Sequence, residues 1–89
     1  MRPFAIVTYN GGGGIADIRK ASDEEVCAIL TRNVTGMQVF GGIWSESTIE
    51  DYEDSAEEEL PPDEIMDSVE MIVSVSVKGA PWCYDIFYN

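Results

Sequence analysis

Of the 17 acidic residues in this 89-residue chain, all but Asp17, Asp23, Glu24, Glu25 and Asp85 fall between Glu46 and Glu70. The stretch holds Glu46, Glu50, Asp51, Glu53, Asp54, Glu57, Glu58, Glu59, Asp63, Glu64, Asp67 and Glu70, and no Lys or Arg occurs between Arg32 and Lys78. The acids outside it balance the five Lys and Arg, so the stretch equals the whole net charge of −12. Carboxylates this dense can do three kinds of chemistry. Burial or a neighbour can separate two pKa values for general acid and base work. A loop can fold several around calcium. In water they form a charged face, either solvating or complementary to a cationic partner.

The calcium reading has the start of a pattern, Asp51-x-Glu53-x-Ser55-x-Glu57. Ala56 stands where that loop needs glycine and Pro62 where it needs the closing bidentate glutamate, so no dedicated ion site is expected. Catalysis lacks its usual groups: there is no His, and Cys27 and Cys83 are isolated, without a CxxC pair. Both are expected to be buried free thiols of a reducing cytosol. The run Asn10-Gly11-Gly12-Gly13-Gly14 invites comparison with phosphate loops, but it lacks the Lys-Ser/Thr ending and precedes a strand pattern. It reads as a hairpin loop. The residues thus predict a non-enzyme that needs no metal or organic cofactor.

The acids must be positioned by a folded frame. Ser47 with Glu50 has capping-box spacing, and Ile49, Tyr52, Ala56 and Leu60 form an apolar stripe at helical period. Pro61 and Pro62 end that pattern, which predicts an amphipathic helix from Thr48 to Glu59. Like charges four apart, such as Glu50 with Asp54 and Glu53 with Glu57, oppose this helix, and Glu57 to Glu59 sit at its negative end. Packing of the stripe must hold it. Ser22 with Glu25 predicts a second helix to about Arg32, its apolar face Val26, Ile29 and Leu30, with Asn33 as a left-handed cap.

Strands are predicted at Phe4 to Tyr9, Ile15 to Arg19, Val69 to Val77 and Trp82 to Tyr88 from β-formers, alternation and flanking turn residues. On the first, one face is expected to be core: that of Phe4, Ile6 and Thr8. Met37 to Ser45 fits a strand bulged at Gly41-Gly42 better than a hairpin turning there. A short helical turn follows Pro62 to Asp67. The expected core includes Val26, Ile29, Leu30, Ile49, Val73, Val75 and Ile86. Residues 1–89 therefore read as one α+β domain, an antiparallel sheet of about four to five strands with two main helices packed on it.

The opening Met1-Arg2-Pro3 and the short apolar run after it do not form a signal peptide, and no stretch is long and apolar enough to span a membrane. A cytoplasmic protein is expected. Strong acidity opposes direct binding of nucleic acid or anionic membrane and favours a basic protein or nucleoprotein complex. On a continuous helix the acids from Glu46 to Glu59 recur about every 2.6 Å, against about 1.7 Å per charge in duplex DNA. Glu46, Glu50, Asp51, Glu53, Asp54, Glu57, Glu58 and Glu59 are the expected binding face, with Tyr52 and Trp44 as partly exposed anchors.

In its size, its lack of a catalytic set and the charge pattern from Glu46 to Glu70, the chain resembles small acidic inhibitors encoded by phages, including anti-CRISPR proteins and other nucleic-acid mimics. That resemblance implies an inhibitor acting on a CRISPR effector or similar machine. An immunity protein or antitoxin against a basic nuclease is the related alternative.

Overall fold

The structure, a computed structural model, describes residues 1–56, 59–79 and 83–89. The described residues form a five-stranded sheet from β1 (Pro3–Tyr9), β2 (Ile15–Lys20), β3 (Val34–Gly41), β4 (Met71–Val77) and β5 (Cys83–Tyr88), in the spatial order β2-β1-β5-β4-β3. Every neighbouring pair is antiparallel. Among the described residues three helices join them: α1 (Asp23–Leu30), α2 (Ile49–Ser55) and α3 (Asp63–Met66). The fold is α+β, as the alternation and capping patterns require.

The last strand in sequence is the middle one in space, so β1, β4 and β5 are covered on both faces. One face buries Ile6, Val73, Val75, Tyr84 and Ile86 with Val26 and Ile29 of α1. The other buries Ala5, Val7, Tyr9, Phe40, Ile72 and Phe87 with Tyr52 of α2, and Ile49, Ile65 and Met66 complete the layer. The expectation of one core face on β1 is therefore corrected: Ile6 and Val7, on opposite faces, are both fully buried. Each such aliphatic side chain contributes about 1.5–3 kcal/mol by leaving water. Leu30 and Ile49 are only partly buried.

Register shows how the second face changes character along the strands. Ala5, Phe87, Ile72 and Phe40 lie in one cross-strand row, all apolar. The next is Val7, Asp85, Ser74 and Gln38, and beyond it Ser76 pairs with both Cys83 and Gly36. Helix α2 covers the apolar end through Tyr52, whose ring meets those of Phe40 at 5.3 Å and Phe87 at 6.0 Å, both edge-on. The polar end is left open.

Helix α1 starts as expected, with Ser22 Oγ accepting from the Glu25 amide, but the Glu25 carboxylate turns to Arg19 Nε at 2.6 Å instead of closing the box. That pair ties β2 to α1, and Arg19 also donates to Asp17 on its own strand and to Thr8 on β1. The helix ends at Leu30 with Thr31 as a right-handed cap; no described non-glycine residue has positive φ, so Asn33 is not a left-handed cap. Cys27 is exposed rather than buried, because α1 turns Val26 and Ile29 to the sheet; Cys83 is half-buried.

Helix α2 departs most from expectation. Its capping box is Thr48 with Asp51, not Ser47 with Glu50, because the Ser47 carbonyl accepts from the Gly41 amide and Ser47 bridges the sheet edge beside Phe40. It ends at Ser55, and Ala56 is already extended. Like charges four apart, an unfavourable dipole end and the Ser55 hydroxyl donating to the Tyr52 carbonyl all weaken further helical turns. Leu60 is accordingly exposed. Between β3 and α2, Gly41 and Gly42 take φ of +76° and +77° and end the strand, so Ile43 and Trp44 form a turn and neither a bulged strand nor a hairpin arm.

Candidate functional site

The expected acidic face is partly assembled. Glu50, Asp51, Glu53 and Asp54 are exposed on α2, a helix about 10 Å long, and Glu46 is exposed in the segment before it. Among the described residues, no acid from Glu46 to Glu70 forms an ion pair; the salt bridges found join Arg2 to Asp23 and Arg19 to Asp17 and Glu25. The charge spacing of about 2.6 Å along α2 survives, but over roughly half the expected length. Glu57 and Glu58 lie outside the described residues. Glu59 is not on the helix; its Oε1 accepts from the Ile15 amide at 3.3 Å, beside the glycine loop.

Trp44 is 83% exposed and its neighbour Ile43 84%. Their turn is held from beneath by Ser45, whose Oγ donates to the Val39 carbonyl and accepts from the Ser47 amide. A rigid base thus carries two large apolar side chains into solvent just before the acidic helix. Tyr52, the other expected anchor, is a core residue at 5% exposure. The stripe that was to hold the helix also claims its tyrosine.

Tyr52 leads to a group of residues that charge and motif reading passed over. Its hydroxyl donates to Asp85 Oδ2 at 2.7 Å and lies 2.8 Å from the Tyr9 hydroxyl. Ser74, the cross-strand partner of Asp85 on β4, also favours the ionised form of that carboxylate. Asp85 is buried, and burial outweighs these donors to hold its carboxyl above the ordinary range. Burial likewise raises Tyr9 to about 12 and Tyr52 well above the normal phenol value, the nearby Asp85 adding to both. The Cys83 thiol is raised by the same causes. These groups line an open cleft of about 590 Å³ at the polar end of the sheet, with Phe40 and Gln38 on one side and Asn10, Ala56 and Glu59 among its other walls.

The glycine loop forms one rim of that cleft and offers no phosphate nest. Asn10 Oδ1 already accepts from the amides of Gly12 and Gly14, so they are spent within the turn. The start of the calcium pattern lies on α2, where Asp51 to Ser55 cannot wrap an ion. Among the described residues, no three His, Cys, Asp or Glu side chains converge as a metal site, and no helix is long and apolar enough to cross a membrane. Compared with protein families, curated proteins and solved structures, the chain matches none of them.

One signal for the missed group was available. Asp85 is a lone acid in Cys83-Tyr84-Asp85-Ile86-Phe87-Tyr88, a strand with large apolar residues on both faces. A carboxylate in such a run must be buried, and a buried carboxylate needs donors.

Proposed function

We propose that this protein is a non-enzymatic inhibitor that presents an acidic surface to a basic nucleic-acid-binding protein, in the manner of small phage-encoded anti-CRISPR and DNA-mimic proteins. The observation that carries the reading is the exposed Ile43-Trp44 turn, set directly before a helix whose solvent side is Glu50, Asp51, Glu53 and Asp54. A solubilising surface gains nothing from an exposed isoleucine and tryptophan. A binding surface uses both features: carboxylates steer a cationic partner and set its orientation, and a tryptophan anchors it once water is excluded.

The test is affinity capture with the parent, with Trp44→Ala and with the triple variant Glu50→Gln, Glu53→Gln, Asp54→Asn. None of these side chains supports the core. The parent should retain a basic nucleic-acid-binding protein at low salt and lose it as salt rises, and each variant should weaken retention at least about tenfold. Equal retention by the parent and both variants would overturn the proposal. A catch consisting of a single small nuclease would replace it with the immunity-protein reading.

A further inference from the structure

The cleft at the polar end of the sheet has a chemistry of its own. Asp85 lies in it, 4% exposed, with Tyr52 donating to Oδ2 and Ser74 as its cross-strand partner. A carboxylate offers about four lone-pair sites. Tyr52 occupies one of these, and Asp85 lines the cleft. No Lys or Arg lines it. Among the described residues, its other carboxylate is Glu59, spent at the rim on the Ile15 amide. The remaining titratable lining groups among the described residues, Tyr9, Tyr52 and Cys83, are neutral phenols and a thiol at physiological pH, each raised by burial. A buried carboxylate without a cation is costly, and asparagine would keep the same bond from Tyr52 without that cost.

We propose that this cleft binds an organic cation, a guanidinium or primary ammonium, whose N–H groups take the open lone pairs of Asp85. The hydroxyls of Ser76 and Thr35 and the amide oxygen of Gln38 line the walls and accept its outer N–H groups. The rings of Phe40 and Tyr9 give its carbon chain or planar face an apolar seat. At about 590 Å³ the space suits a small molecule or one long side chain. Anions are disfavoured by the same lining, which holds no positive group. The site is separate from the acidic helix face and does not depend on a partner bound there.

Butylguanidinium tests this, with uncharged butylurea as its shape-matched control and acetyl-Gly-Arg-Gly-amide as the same group on a peptide. Amide resonances of Ser74, Ser76, Cys83 and Asp85 should shift on titration with butylguanidinium, saturably, and not with butylurea. Asp85→Asn should weaken the binding at least tenfold, and Ser76→Phe, which fills the cleft from a strand position without touching the carboxylate, should do the same. Tighter binding of the peptide than of butylguanidinium would identify a protein side chain as the source of the cation; weaker binding would identify a free small molecule. Absence of saturable shifts in the cleft, equal response to butylurea, or affinity unchanged in both folded variants would overturn the proposal.

Discussion

Replacing Tyr52 by Phe isolates the hydrogen bond on which the buried carboxylate depends. The ring and its edge-on contacts with Phe40 and Phe87 remain, so no cavity opens. What goes is the donor 2.7 Å from Asp85 and the partner 2.8 Å from the Tyr9 hydroxyl. A hydrogen bond to a charged group is worth about 1.5–3 kcal/mol and one between neutral groups about 1 kcal/mol, so Tyr52→Phe should cost about 2.5–4 kcal/mol. For a domain of this size that lowers Tm by about 10–25 °C.

Urea denaturation followed by far-UV circular dichroism measures the loss, and a double-mutant cycle with Asp85→Asn assigns it. In the Asp85→Asn background the acceptor is neutral, and Tyr52→Phe should cost about 1.5 kcal/mol less. The pH profile supplies an independent check. Because the folded-state pKa of Asp85 is raised, the folded protein holds that proton more tightly than the unfolded chain. Its contribution to stability is then greatest below the ordinary carboxylate range and falls as pH rises through the folded pKa, and Asp85→Asn should remove that component. A cost below about 0.5 kcal/mol for Tyr52→Phe, or the same cost with and without the aspartate, would refute the reasoning.

Alkaline titration followed by phenolate absorbance should show Tyr9, Tyr52 and Tyr88 ionising late, Tyr9 near 12, since burial raises all three. Stability should fall above about pH 10, where unfolded phenols release protons that the folded ones keep. Gly41→Ala should be strongly destabilising in thermal melts, because its Cβ would lie 2.5 Å from the Glu70 carbonyl oxygen and 2.9 Å from Ile49 Cδ1 at a φ of +76°. Gly79→Ala, at φ +82° with nothing within 4 Å, should cost only the backbone strain of about 1–2 kcal/mol.

Local signals carried most of the frame. Alternation from Val69 to Val77, the glycine loop after Tyr9 and the Ser22 cap each place an element close to where it lies, β4 itself starting at Met71. What they could not supply is the position of β5 between β1 and β4, since pairing between distant strands leaves no mark on either one. That placement covers both faces of β1, buries Asp85 and creates the cleft. In charge bookkeeping Asp85 was one of several balanced acids, and only its central strand makes it unusual. Tyr52 shows the converse error: its stripe position already assigned it to the core, and a role as an exposed anchor conflicts with that geometry. Trp44, outside any periodic pattern, stands in solvent.

The central claim, that the acidic surface occupies a basic nucleic-acid groove, is tested most directly by competition. With the partner captured on the immobilised protein at low salt, duplex DNA is titrated in and the released partner is measured. Mutually exclusive binding predicts complete release with increasing DNA, and a release midpoint that moves to lower DNA concentration for Trp44→Ala and for the triple variant at Glu50, Glu53 and Asp54. A partner that binds DNA while remaining on the protein, forming a stable ternary complex, would contradict the claim.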